Sequence, residues 1–109
     1  MIIRIKPLSI NKAWQGKRYK TKAYKNYEKA LLMILPKRLD CDLLGKLEIN
    51  LTFGFSTKSA DIDNPIKPIL DILQKKYRFN DKNIYVLNVK KLDTKKGNEF
   101  IDIEIRSVK

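Results

Sequence analysis

Histidine is absent from this chain and cysteine occurs once, at Cys41. The first absence removes histidine general bases and histidine metal ligands. The second leaves no partner for an intrachain disulfide, and together they exclude a structural zinc site built from cysteine and histidine. A reducing cytoplasm is the expected setting for such a thiol content, and Cys41 reads as an inert, partly buried thiol. Long apolar runs are missing too. The longest, Ala30 to Leu35, is six residues, against the ~20 that a membrane-spanning helix needs. The opening Met1-Ile2-Ile3-Arg4-Ile5-Lys6 lacks the charged, apolar and small-residue succession of a signal peptide and reads as a first strand.

Negative charge is the scarcest commodity. The chain holds 12 acidic against 24 basic residues, a formal net charge of +12. Residues 1 to 39 carry eleven of the basic residues and a single acid, Glu28. A surface so biased is the electrostatic footprint of a polyanion binder, nucleic acid above all; a merely solubilising lysine-rich surface is the bland alternative. With 43% hydrophobic residues in 109, the chain can build a core and is expected to form one domain over residues 1–109.

The apolar pattern predicts an α+β (mixed α/β) domain in the order β-α-β-α-β-β, with two helices packed on one largely antiparallel sheet. Residues 2 to 6 form a short strand closed by Pro7, and Leu8 to Gly16 reads as loop. From about Lys22, Tyr24, Tyr27, Leu31 and Leu35 recur at helical spacing until Pro36. Leu47, Ile49, Leu51, Phe53 and Phe55 alternate with polar residues or glycine, the period of a half-buried strand. A second helix is expected at about 65–77, and further strands near 84–92 and 99–107, joined by the turn-forming run Asp93 to Asn98.

Against this basic background four aspartates, and no glutamate, fall between positions 61 and 81: Asp61, Asp63, Asp71 and Asp81. In an extended segment Asp61 and Asp63 would point to one side and Ile62 into the core. Asn64 and Pro65 suit the cap and first position of a helix, whose turns carry Lys67 and Asp71 onto one stripe with Gln74. Short carboxylates at such spacing suit a hard divalent cation, and a cation beside a phosphodiester can polarise it and activate water. A neighbouring lysine can hold the phosphate. Each residue also has a plainer reading: Asp63 as a cap, Lys67 and Asp71 as a surface ion pair, Asp81 as a turn residue after Asn80.

The longer string resembles the RusA family of Holliday junction resolvases, small homodimeric endonucleases of bacteria and their phages. The resemblance rests on Asp61-Ile62-Asp63-Asn64-Pro65-Ile66-Lys67-Pro68-Ile69-Leu70-Asp71-Ile72-Leu73 with Asn80-Asp81 beyond, and on the opening Pro7-Leu8-Ser9-Ile10-Asn11-Lys12. It implies magnesium-dependent cleavage of four-way DNA junctions, with manganese an alternative, by a cytoplasmic homodimer needing neither a membrane nor a small-molecule cofactor. Carried over, Asp61, Asp63 and Asp81 would be catalytic carboxylates and metal ligands. Lys67 would be the catalytic or phosphate-contacting lysine, with Asp71 orienting it and Asn64 capping the helix. Small size and lysine bias suit a phage or prophage gene.

The basic residues Lys12, Lys17, Arg18, Lys20, Lys22 and Lys25, interleaved with Tyr19 and Tyr24, form a candidate DNA-binding surface in which lysines meet phosphates and tyrosines stack on unpaired bases. Trp14 reads as a packing anchor or a junction wedge. A non-catalytic DNA- or RNA-binding module and a lysine-rich protein-interaction domain are the competing readings. The first would be salt-sensitive but indifferent to magnesium, and the second would not prefer branched DNA.

Overall fold

The computed structural model describes residues 1–15 and 19–108. In chain order the elements are β1 (Ile2–Ile3), α1 (Ile10–Ala13), β2 (Trp14–Gln15), β3 (Tyr19–Lys20), α2 (Lys22–Ile34), β4 (Leu47–Phe55), α3 (Ile66–Tyr77), a 3-10 turn (Asp81–Asn83), β5 (Ile84–Asp93) and β6 (Phe100–Ser107). Strands β1, β6, β4 and β5 lie side by side in that order, while β2 and β3 pair antiparallel in a separate two-stranded sheet.

Alternation builds the sheet. Leu47, Ile49, Leu51 and Phe53 are buried while Glu48, Asn50 and Thr52 between them are only partly so. On β6, Ile101 and Ile103 fall on the same face, opposite Phe53 and Leu51. That face carries the helices; the other stays polar, with Asn50 donating to Glu48 and Glu104, and Asn88 donating to Asn50. Gly54 is needed on the polar face because a Cβ there would stand 2.3 Å from the Phe100 ring. β4 pairs antiparallel with β6 but parallel with β5, and β1 pairs antiparallel with β6. A parallel pair needs a crossover, and α3 supplies it.

The helices start and stop for visible reasons. Thr21 caps α2, its hydroxyl accepting from the Tyr24 amide at 3.1 Å. Leu35 leaves helical geometry ahead of Pro36. α3 ends at Arg78, which adopts the left-handed conformation (φ 57°) and donates its amide to the Gln74 carbonyl. Tyr24, Tyr27 and Leu31 of α2 and Ile69, Ile72 and Leu73 of α3 bury against the sheet. Glu28 ties the pair together, bonded to Lys75 at 3.0 Å and Lys20 at 3.4 Å. Burial pushes its pKa up, but the two lysines outweigh that and hold it below the usual range.

The α+β architecture is as expected, and both long helices lie within a residue of their expected limits. Two expectations need correction. The first strand is two residues long, and part of the expected loop Leu8 to Gly16 holds α1 and β2. That segment is pinned from outside, since the Ile10 amide donates to the Asn64 carbonyl at 2.8 Å and the Thr21 amide to the Ala13 carbonyl at 3.0 Å.

Candidate active site

The aspartate segment leaves the sheet at the carboxyl end of β4, where the parallel strand β5 also ends, with Phe55 opposite Asp93. It runs as bends and turns rather than as a strand. Ile62 is therefore 42% exposed rather than in the core, and the expected two-residue alternation does not operate. Asn64 does not cap α3 either. Pro65 occupies that position without a side-chain hydrogen bond. The Asn64 side-chain Nδ2 instead donates to Asp61 Oδ2 at 3.4 Å, and its backbone carbonyl accepts from the Ile10 amide of α1. Because Pro68 brings no amide hydrogen to the first turn, the Asn64 carbonyl has no helical donor and is free for Ile10, while the Ile66 amide turns back to the Asp63 carbonyl at 3.2 Å.

Along α3, Lys67 Nζ donates to Asp71 Oδ1 at 2.8 Å. That hydrogen bond raises the lysine pKa, partial burial opposes it, and the charges of Asp71 and Asp81 add to the rise. One turn further, Gln74 uses both ends of its amide: Nε2 donates to the Leu70 carbonyl, and Oε1 accepts the Asp81 backbone amide at 3.1 Å. Asp81 opens the 3-10 turn capped by Asn80, whose Oδ1 accepts from the Lys82 amide. The candidate residues are thus strung along one flank of α3. Asp61 and Asp63 stand before its first turn, Lys67 and Asp71 on it, and Asp81 is tied to its later part.

Among the described residues, no three acidic or cysteine side chains gather around a point that could hold a metal ion. The donors fit magnesium in kind. All are carboxylate oxygens, Asp61, Asp63 and Asp81 are exposed, and magnesium commonly takes one or two carboxylates and completes its shell with water and substrate phosphate. A closed cage of Asp61, Asp63 and Asp81 is not preformed.

The family model for endodeoxyribonuclease RusA matches residues 7–106. The chain belongs to the RusA endodeoxyribonuclease family. No individual curated protein matches it closely. The match takes in both the Pro7–Lys12 opening and the aspartate segment, which the Ile10–Asn64 hydrogen bond joins in space.

Other parts of this RusA-family chain divide unevenly. Lys12, Lys22 and Lys25 are exposed, on α1 and α2. Lys20 is engaged, paired with Glu28 and lying 5.1 Å from the centre of the Tyr24 ring. Lys17 and Arg18 lie outside the described residues, as do the side chains of Trp14 and Tyr19. Tyr24 cannot stack on a base as expected: it is 2% exposed, and burial, with the charges of Glu28 and Asp71, pushes its pKa up to about 12. Cys41 is half-buried, and burial together with Asp40 and Asp42 raises its pKa, which keeps the thiol protonated. No helix among the described residues is long and apolar enough to cross a membrane.

Two residues at the candidate site escaped the sequence reading. Gln74 was visible as a stripe neighbour but not as the group that holds Asp81. Lys91, on β5, reaches over the aspartate segment and donates to the carbonyls of Ala60 at 2.6 Å and Lys58 at 3.3 Å. It fixes the backbone entering Asp61. Only the parallel pairing of β4 with β5 brings it there, which no local pattern announces. Replacing Lys91 by Met should lower single-turnover nicking about tenfold or more, a scale typical of groups that orient metal ligands. The melting temperature should stay within a few degrees, and Lys91→Arg should restore part of the rate. An unchanged rate with a lower melting temperature would assign Lys91 to stability alone.

Proposed function

We propose that this RusA-family chain is a magnesium-dependent Holliday junction resolvase, with manganese an alternative metal. It would make paired, symmetric nicks in four-way DNA junctions during recombination and repair in a bacterial cell. The observation that carries this reading is the flank of α3, which sets exposed carboxylates and a charged lysine in line within a protein of net charge +12.

In this reading Asp61 and Asp63, with Asp81, would hold the ion beside a DNA phosphate. The bound ion would supply polarisation of the phosphoryl oxygen and activation of water. Lys67 meets a phosphate oxygen and offsets the charge that builds up on phosphorus. Asp71 keeps that ammonium charged and extended along α3 until phosphate competes for it. The basic N-terminal third neutralises the junction arms, so binding should weaken steeply with salt. A junction has near two-fold symmetry, and a C2 homodimer presents two identical sites to its opposing strands. Strand β5 has one unpaired edge and exposes Tyr85, Leu87 and Leu92, a surface suited to self-association.

The test is incubation with a labelled synthetic four-way junction and a matched linear duplex, in magnesium or in EDTA. Paired symmetric nicks in the junction alone, and only with metal, are expected. Tight junction binding without nicks in any divalent metal would replace this reading with a non-catalytic module.

A further inference from the structure

A cavity of about 550 Å³ opens beside the aspartate turn, bounded by the N-terminal segment, the inner side of α2 and the end of β4. Its size lies within the range of small-molecule sites. Leu8, Ala30 and Phe55 give it apolar walls, Lys6 and Lys12 stand at its polar margin, and Asp61 and Asn64 close one side. One wall thus carries a carboxylate assigned above to phosphodiester chemistry, and another carries the charge a DNA backbone would seek. Tyr27 also lines it. This side chain is 6% exposed, and its hydroxyl has no hydrogen-bond partner among the described residues. The Leu8 backbone lies close enough to favour the ionised phenol but does not reach hydrogen-bonding geometry, and burial raises the pKa regardless. A buried hydroxyl left unpaired is costly; the Tyr27 side chain lines the cavity, while the hydroxyl itself is covered.

We propose that this cavity receives one unstacked nucleobase of the strand whose phosphate lies at Asp61, so that it acts as a base-accepting subsite of the nuclease. The proposal rests on the junction-nuclease reading above. Enzymes that must distort DNA place an extruded base against apolar and aromatic walls and read its edge with polar groups. Apolar walls beside lysines and amides suit a base with its flanking phosphates, and the cavity adjoins Asp61, the carboxylate assigned above to phosphodiester chemistry, which favours a nucleotide over a peptide or a lipid. Continuity with Asp61 decides which strand it would come from: a base filling the cavity has its own phosphate within reach of the aspartate turn.

The test is a binding cycle read by fluorescence anisotropy with calcium in place of magnesium, so that no strand is cut. Wild-type protein and Ala23→Trp, a substitution at an exposed lining position of α2, are titrated with an intact junction. They are then titrated with junctions carrying one abasic nucleotide, moved stepwise along the strand at the branch point. Base–aromatic stacking sets the expected scale at about tenfold. At one abasic position wild-type affinity should fall by about that factor, Ala23→Trp should lose a similar factor on the intact junction, and the two losses should not add. Additive losses at every position, or no sensitivity to either change, would overturn the subsite while leaving the nuclease standing. Failure of the wild-type chain to prefer junction over duplex would remove the nuclease reading itself. Ala30→Met fills the same space from another turn of α2 and should reproduce the pattern if Ala23→Trp folds poorly.

Discussion

Asp63→Asn is expected to abolish junction cutting while leaving junction binding intact or tighter. The side chain is exposed, and the structural bond at this position runs through the backbone carbonyl to the Ile66 amide, which asparagine preserves. Surface substitutions of this kind usually change stability little. On the proposed reading the chemistry would lose an anionic metal ligand, whereas outer partners of metal ligands alone account for about 10–100-fold; single-turnover nicking should fall by at least about a hundredfold. Removing one negative charge from a surface facing phosphates reduces repulsion, so the junction dissociation constant should stay level or drop, most visibly at low salt. Loss of binding together with cutting would show that Asp63 shapes the loop rather than the reaction.

Phe53→Ala should have the largest effect on stability. Phe53 is fully buried in β4, opposite Ile101 on β6 and Lys91 on β5, with its ring centre 6.1 Å from that of Phe55. Removing such a ring costs about 3–5 kcal/mol, against a typical total of about 5–15 kcal/mol for a domain. Urea unfolding should show a lower midpoint at nearly unchanged slope. Nicking should fall more than the unfolded fraction accounts for, because the strand position facing Lys91 is disturbed along with the core. A loss below about 1 kcal/mol would mean that β4 is not the centre of this fold.

The two predictions draw on parts of the molecule that were not equally legible. β4 could be read residue by residue because its alternation coincides with the boundary between core and solvent. α2 was readable because Thr21, the tyrosine–leucine stripe and Pro36 all agree on its limits. The aspartate segment was legible in composition but not in shape. The two-residue alternation fails there because the segment runs as bends and turns into Pro65, which leaves Ile62 facing solvent and Asn64 outside the cap of α3. Lys91 lay thirty positions beyond Asp61 in a strand whose parallel partner has no local signature. Local chemistry, in short, announces itself in this chain, and what depends on strand order does not.

Strand order has a consequence in time. Every residue assigned to the chemistry lies at or before Lys91, yet β6, the last element, sits between β1 and β4 and supplies Ile101 and Ile103 to the core. A chain emerging from the ribosome shows its aspartates and lysines long before the sheet beneath them can close, and pairings so distant in sequence form slowly. The candidate site therefore waits for β6, and a chain lacking that strand would carry all the candidate groups without the sheet that aligns them. In a chain of an endodeoxyribonuclease family, that ordering makes the candidate groups depend on the strand that follows them.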